Sequence, residues 1–236
     1  MSTTSDSVVQ ALARLHSYAD RKTSEPSQNE LHITVAISRQ AGSRGAEIAR
    51  AVGAQLRWPV YDHEILDRIA QEKGLHRRLL EQLDERHLSW LEEVMRSFGS
   101  NSTYSESGYI RHLLEQFASL GEVGHCLIIG RGAAQVLPAE NTLRVRVIAS
   151  RPFRVAAIAK EKSLSREEAE RWVDRTDQER TRFVQQVFHK DPTDPTGYDL
   201  VLNSERLGKE VCARVIMEAA LGLEAALRQK QQAASV

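Results

Sequence analysis

Residues 33–50, ITVAISRQAGSRGAEIAR, decide which fold the sequence predicts. An apolar run over residues 33–37 predicts a buried strand, and Gly42 and Gly45 predict the turn that follows it. A helix after the turn is indicated by apolar residues at helical spacing, which are Ile48, Val52 and Leu56. Because a chain in this order aims unpaired N–H groups and a helix N-terminus at a phosphate, we expect an anion-binding turn here.

The same alternation of strand and helix continues along the chain. Strands are predicted at 33–37, 58–61, 125–130, 143–149 and 198–203. Helices are predicted at 46–57, 63–73, 76–97, 107–121, 151–162, 165–188 and 208–230. Several strands are nearly continuous apolar runs, as strands buried on both faces require. We therefore expect an α/β fold with a parallel sheet of about five strands, helices on both faces, and ligands beyond the strand carboxyl ends.

The chain divides into an N-terminal appendage, residues 1–31, and an α/β domain, residues 32–236. Apolar residues at helical spacing predict a short helix over 7–20, and the polar stretch 21–30 is typical of a linker. This helix either docks on the main domain, or mediates a homo-oligomer or another partner contact, or remains a frayed tail.

About fifty residues separate the second and third predicted strands. This stretch, 74–122, is predicted to be helical, with a break rich in Ser and Asn at 99–108. So long a connection is typical of an inserted substrate-binding element. Its aromatic residues either line a base pocket or pack the core of the insert itself; they are Trp90, Phe98, Tyr104, Tyr109 and Phe117.

The charge balance limits the kinds of partner. Lys plus Arg number 32 and Asp plus Glu number 32, so no global field draws the protein to nucleic acid or an anionic membrane. Cys126 and Cys212 lie in apolar patterns and are expected to be buried, which suits a reducing compartment. No apolar run approaches the ~20 residues of a membrane helix, and the N-terminus lacks the apolar region of a signal peptide. We expect a soluble cytoplasmic protein.

The turn departs from the sequence of a working phosphate loop. The Walker sequence is G-x-x-x-x-G-K-[ST], and no segment here matches it. Placed by its helix, Gly45 or Ala46 falls where the lysine belongs, and Glu47 falls where Ser or Thr holds Mg²⁺. The backbone N–H groups and the helix dipole remain, the dipole stabilising a nearby anion by about 0.3–1 kcal/mol. Arg44 either points into the phosphates as a substitute cation or is a solvated surface arginine.

Further segments repeat a known order of motifs. After the turn come WPVYDHEIL (58–66), IIGRGAAQVLP (128–138), VIASRPFRVAAI (147–158), Asp174-x-x-Asp177-x-x-Arg180 and YDLVLNS (198–204). Over roughly 32–220 the sequence resembles the cytidylate kinase-like family of P-loop proteins. The resemblance implies a P-loop kinase-like fold, a nucleotide-binding insert at 74–122, and a lid-like helix at 163–190. It also implies transfer of the ATP γ-phosphate to a nucleoside monophosphate, CMP or dCMP first among them, with Mg²⁺.

The resemblance carries over residue by residue. Asp62 takes the place of the aspartate that follows the second strand in these kinases. Gly130 and Arg131 match a Gly-Arg-Asp segment after the third strand, whereas Gly132 replaces its aspartate. Arg154 matches the arginine that follows the fourth strand.

The implied roles fall into three groups. The catalytic group is Arg44, Arg154 and Arg180. The nucleotide-binding group is Ser38, Arg39, Gln40, Ala41, Gly42, Ser43, Arg44, Gly45, Ala46 and Glu47. The substrate-binding group is Asp62, Gly130, Arg131, Arg175 and Asp177. Guanidinium groups hold phosphates bidentately, and lid arginines exclude water and offset charge on a transferring group; alternatively, the charges near Arg175 and Arg182 are helix-surface pairs.

Asp62 has two compatible interpretations. After a buried strand it could bind the substrate or organise Mg²⁺ through water, and it could also cap the helix that follows. His63 lacks any nucleophile beside it, and the eight histidines show no metal-ligand spacing. No metal ligand is therefore assigned.

Two functions remain open. One is a nucleoside monophosphate kinase-like phosphotransferase with a degenerate Walker loop. The other is a catalytically inactive protein on the same fold that binds a nucleotide or another phosphorylated ligand for regulation. The missing lysine favours the second function, and the ordered set of kinase-like segments favours the first.

Overall fold

A computed structural model describes residues 13–15, 17, 32–71, 83, 85–97 and 104–234. Its sheet has five parallel strands in the order β2-β3-β1-β4-β5. The strands are β1 (Thr34–Arg39), β2 (Val60–Tyr61), β3 (Cys126–Ile129), β4 (Thr142–Ile148) and β5 (Leu200–Asn203). All five predicted strands and the α/β fold class are therefore confirmed.

Helices connect the strands. They are α1 (Gly45–Leu56), α2 (His63–Gln71), α3 (Glu85–Ser97), α4 (Tyr104–Val123), α5 (Ala133–Val136), α6 (Arg151–Lys162), α7 (Arg166–Phe188) and α8 (Ser204–Ala234), with a 3-10 turn at Pro195–Gly197. α5 was not predicted, because four residues carry too little periodicity. α8 begins earlier than the predicted 208, and its first turn is separated from the rest by Gly208, which has a non-helical backbone.

The core lies on both faces of the sheet, because successive side chains of a strand point to opposite sides. Val35 and Ile37 pack with α1 and α8, whereas Ala36 and Ile128 pack with α2 and α4. Each large apolar side chain buried in this way stabilises the fold by about 1.5–3 kcal/mol. Both cysteines are free and buried as predicted.

The described part of the insert belongs to the main core. Phe117 of α4 is fully buried in the cluster that includes Ile128, and Trp90 of α3 packs against it and donates from Nε1 to the Val136 carbonyl oxygen (3.2 Å). α4 begins at Tyr104, inside the predicted break at 99–108. Phe98 and the side chain of Tyr104 lie outside what the structure describes. α4 therefore covers one face of the sheet.

The described residues of the appendage contact the main domain. Leu15 is fully buried in the same core cluster as Phe117. Arg14 Nη1 donates to the carbonyl oxygen of His125 (2.9 Å), and its Nη2 donates to that of Gly124 (3.2 Å). The rest of the predicted helix 7–20 lies outside the described residues.

None of the helices in the described ranges is both long and apolar enough to cross a bilayer.

Candidate functional site

The turn between β1 and α1 is closed and packed. The Ser43 backbone N–H donates to the Gln40 carbonyl oxygen (3.3 Å), and Ser43 Oγ donates to the same oxygen (2.8 Å). Gly42 has a positive φ of 76°, and a Cβ there would overlap the backbone carbonyl of Arg154. Only glycine fits this position, because other residues would meet both the conformational cost and the overlap. The turn therefore packs directly against the first turn of α6.

The N-terminus of α1 opens into a cavity of about 660 Å³, here called the α1 cavity. Arg44 caps the helix with a φ of 57°, and no side chain bonds to the cap. The N–H groups of Gly45, Ala46 and Glu47 find no acceptor among the described residues. Free N–H groups at a helix start attract anions. The free N–H groups that the sequence predicts at the start of α1 therefore face a cavity, and anion binding there stays a prediction.

An ion pair fastens the turn to two helices. The Ala41 N–H donates to Asp177 Oδ1 (2.7 Å), and Arg154 Nη1 donates to Asp177 Oδ2 (2.5 Å) and to the Ala41 carbonyl oxygen (3.1 Å). Arg154 Nε also donates to the Ala149 carbonyl oxygen (3.1 Å). The side chain of Arg154 is only 9% exposed. Predicted as ligand contacts, Arg154 and Asp177 here hold the turn between α6 and α7.

Three arginines converge beyond the carboxyl ends of β1 and β3. They are Arg39, Arg131 and Arg180, here called the arginine cluster. Burial, with the charges of Arg180 and Arg131, lowers the pKa of Arg39 to about 9, and the charge of Asp62 opposes the shift. Burial also lowers the pKa of Arg180, whose Nη1 donates to the Arg39 carbonyl oxygen (3.4 Å). Arg39 forms no ion pair within the described ranges, so the cluster suits a bound anion.

The arginine cluster predicts a pH limit for anion binding. Arg39 stays charged below a pKa of about 9 and loses its proton as the pH rises through that value. We expect the affinity for sulfate, whose own charge is constant, to fall between about pH 7 and about pH 10. Calorimetric titration at the two pH values measures it. Arg39→Gln should bind weakly at both pH values; equal wild-type affinity at the two pH values would contradict the assignment.

A second cavity, of about 520 Å³, lies between the sheet, α5 and α7 and is here called the α7 cavity. Arg39, Gln40 and Arg180 line both cavities. The position agrees with the rule that ligands of open α/β sheets bind beyond the strand carboxyl ends. Two ligands, one in each cavity, would therefore meet at Arg39 and Arg180.

The remaining predicted residues of the loop have different surroundings. Arg44 is exposed and lies 5.2 Å from the centre of the Phe153 ring, at the wall of the α1 cavity, which Glu47 also lines. Ser43 is fully buried and serves the turn itself. Ser38 lies in the α7 cavity and accepts a hydrogen bond from Arg146 Nη1 (3.0 Å). Residues of the loop thus line both cavities rather than one.

The residues predicted to bind substrate do not all lie in one cavity. Gly130 and Arg131 line the α7 cavity, and Arg131 donates to Tyr109 Oη and lies 3.5 Å from Asp67 Oδ2.

Asp62 lies beside the arginine cluster, where its charge acts on Arg39. It caps α2 by accepting from the Ile65 N–H (3.3 Å), as one of its two interpretations predicts. Arg175 is exposed and lines neither cavity.

Several lining residues were not anticipated from the sequence. They are Arg146 and Gln135 in the α7 cavity, and Lys160, Lys162 and Trp172 in the α1 cavity. One signal for Arg146 exists: LRVRVI alternates polar with apolar residues, which indicates that one face of β4 does not meet the core. The side chains in α5, α6 and α7 carried no comparable pattern.

The comparisons with known proteins agree with this geometry. A family model described as the cytidylate kinase-like family matches residues 34–206. The chain belongs to the cytidylate kinase-like family. Its sheet and helices accordingly form a nucleotide kinase-like fold. No curated protein matches this family member with significance.

Three solved structures are similar to this cytidylate kinase-like chain to different degrees. An uncharacterized protein from Eubacterium ventriosum is similar with a TM-score of 0.63 and 18% identity, over 81% of this chain and 99% of that one. Shikimate kinase from Bacteroides thetaiotaomicron has a TM-score of 0.43 and 13% identity, over 79% and 97%. TT1252 from Thermus thermophilus has a TM-score of 0.44 and 18% identity, over 82% and 98%. The first likeness shows a common fold alone.

Gly132, which stands where the family resemblance implies an aspartate, lies where a side chain would not fit. Its φ is 79°, and a Cβ there would overlap the ring of Phe188 at the end of α7. We expect Gly132→Asp to lower the free energy of unfolding by about 2 kcal/mol or more, through backbone strain and overpacking. Denaturant unfolding measures it. The same change at Gly222, which meets no atom, is the control, and equal stability of the two variants would contradict the explanation.

Proposed function

We propose that this protein transfers the γ-phosphate of ATP to a nucleoside monophosphate, with CMP and dCMP as the first acceptors to test. One observation carries the proposal: two cavities on either side of the glycine turn share Arg39 and Arg180. A phosphotransferase must bring two mutually repelling phosphate groups together, and shared guanidinium groups offset that repulsion.

The α1 cavity is the proposed donor site. The free N–H groups at the start of α1 point to the phosphates, and the helix dipole favours their charge. Six cations line this cavity against two carboxylates; they are Arg39, Arg44, Arg50, Lys160, Lys162 and Arg180 against Glu47 and Glu161. This surplus of positive charge takes the place of the single Walker lysine. Arg44, the substitute cation proposed from the sequence, is one contributor among several.

The α7 cavity is the proposed acceptor site. Arg131 and the partly buried Phe183 line it, so it offers a phosphate ligand and an apolar wall together. Arg180 lies on α7, the lid-like helix, and reaches the junction of the two cavities. There it would hold the transferring group, exclude water and offset the developing charge.

The residues present also suit Mg²⁺, which would neutralise charge on the phosphates. Mg²⁺ in such sites keeps several waters and needs one or two carboxylates besides phosphate oxygens. Glu47, in the first turn of α1, offers a carboxylate in the α1 cavity. Across the described residues, no three His, Cys, Asp or Glu side chains form a metal-binding group. Mg²⁺ would accordingly be held by Glu47 and the nucleotide phosphates together.

A second candidate function has its own observation. The Asp177 carboxylate occupies the Ala41 N–H, a donor that an open phosphate loop would direct at its ligand. A turn closed in this way, without a lysine, suits a protein that binds a nucleotide for regulation and transfers nothing. Binding without turnover would identify this function.

One experiment separates the two functions. The purified full chain is assayed for ADP formation with MgATP and each nucleoside monophosphate, and calorimetry measures binding of ATP, ADP and CMP. Turnover with a monophosphate supports the phosphotransferase, whereas binding with no turnover on a folded sample supports the regulatory protein. Absence of both would reject the nucleotide assignment.

A further inference from the structure

Arg146 presents to the α7 cavity a guanidinium group that has hydrogen-bond partners but no carboxylate partner among the described residues. It lies on β4, opposite Ser38 of β1, and lines the cavity. Its Nη1 donates to Ser38 Oγ (3.0 Å) and to Tyr198 Oη (3.2 Å), and its guanidinium lies 5.5 Å from the centre of the Tyr198 ring. These contacts orient the guanidinium without neutralising it. Among the described residues, no carboxylate forms an ion pair with Arg146.

Gln135 adds a second donor to the same cavity. It is only 8% exposed, and its Nε2 is buried without a hydrogen-bond partner in the described part of the protein. An unsatisfied buried donor costs about 1–3 kcal/mol, so its presence needs an explanation. A ligand that carries an acceptor oxygen would supply the missing hydrogen bond.

The two donors approach consecutive residues of one short segment. A Cβ on Gly197 would lie 3.4 Å from Gln135 Oε1, and the next residue, Tyr198, contacts Arg146. The carboxylate of Asp191 is also nearby. Its pKa is lowered first by hydrogen bonds from Thr193 and then by the charge of Arg146. Thr193 N and Oγ1 both donate to Asp191 Oδ1, and among the described residues the two side-chain hydrogen bonds of Arg146 come from Nη1, so its other N–H groups keep capacity for a ligand.

We propose that Arg146 and Gln135 form a subsite for a small oxyanion, a carboxylate or a phosphate group, beside the proposed acceptor in the α7 cavity. Planar guanidinium and amide groups donate well to such oxygens. The arginine cluster would hold the receiving phosphate of a nucleoside monophosphate, so an oxyanion at Arg146 would bind beside that acceptor as a separate ligand. The inference rests on the proposed function for the identity of the acceptor, but the subsite binds an oxyanion whether or not transfer occurs.

Titration with small anions tests the subsite. Orthophosphate and, separately, acetate are titrated into the full chain, with and without saturating CMP, and calorimetry measures the affinity. We expect the wild type to bind at least one of these anions in the presence of CMP. Arg146→Gln should weaken that binding about tenfold or more, the usual effect of losing a charge-assisted hydrogen bond. Comparison of the two anions distinguishes a phosphate subsite from a carboxylate subsite.

Two further variants exclude a merely structural role. Arg144→Gln, on the same strand, removes a guanidinium that pairs with Asp199 outside the cavity and should leave the anion affinity unchanged. Gln135→Leu should raise the melting temperature, because it removes the unpartnered donor, while it weakens anion binding. Anion binding that is unaffected by Arg146→Gln belongs to another site and overturns the proposal, as does the absence of any anion binding.

The two proposals fail in different ways. Turnover of monophosphates without Arg146-dependent anion binding removes the subsite and leaves the phosphotransferase. Arg146-dependent binding without turnover keeps the subsite and removes the phosphotransferase.

Discussion

Replacing Arg180 by alanine is expected to lower kcat about 100- to 1,000-fold, the usual effect of removing a donor that stabilises charge in a transition state. Arg180 lines both cavities and is largely buried, and burial lowers its pKa. A largely buried guanidinium at the junction of the proposed donor and acceptor sites would act where the phosphoryl group is transferred. Steady-state kinetics with MgATP and the best monophosphate measure the effect, and KM should change less than kcat.

Arg182→Ala is the matched control. Arg182 lies two positions further along α7, is exposed and lines neither cavity. Its removal is expected to leave kcat within about twofold of the wild type. If both variants retain wild-type rates while they melt at the wild-type temperature, Arg180 takes no part in transfer.

Replacing Arg154 by alanine is expected to lower the free energy of unfolding by about 3–5 kcal/mol. The change removes three hydrogen bonds, one of which is the ion pair with Asp177, and leaves Asp177 without that cationic partner beside the turn. For a chain of this length the loss corresponds to a fall in melting temperature of roughly 10 °C. Thermal unfolding followed by circular dichroism measures it.

The control for the Arg154→Ala substitution is Arg151→Ala, on the same helix, α6. Arg151 forms a two-contact ion pair with Asp174 of α7 (2.8 and 3.2 Å), but this pair is exposed to solvent. Exposed pairs contribute little, so Arg151→Ala should be far less destabilising than Arg154→Ala. Equal effects of the two substitutions would show that burial of the Arg154–Asp177 pair is unimportant for stability.

Much of the fold was predictable because its signals are local. The apolar runs of β1, β3 and β4 mark strands buried on both faces, and apolar residues at helical spacing mark α1. Ser165 and Glu168, three positions apart, form a capping box at the start of α7, which is a signal of the same local kind. The family resemblance read from six short segments is confirmed over residues 34–206.

The candidate site was predictable only in part. The sequence located the turn, the free start of α1, and the arginines Arg39, Arg131 and Arg180. It did not distinguish arginines that line a cavity from arginines that stabilise the fold, because the residue type is the same in the two groups. Arg154, predicted as catalytic, is buried in backbone and carboxylate contacts, and Arg175, predicted to bind substrate, is exposed outside both cavities.

By itself, the sequence determined the order of strands and helices, the glycine turn and the family, because each of these follows from neighbouring residues and their spacing. Only the tertiary structure decided which side chains meet. Ala41 and Asp177 are 136 positions apart, and Ser38 and Arg146 are 108 apart, yet each pair is joined by a hydrogen bond. Such pairs form because parallel strands bring their carboxyl ends to one edge of the sheet and α7 packs over that edge. No local pattern encodes that distance, so the two cavities and their shared arginines appear only in the folded chain.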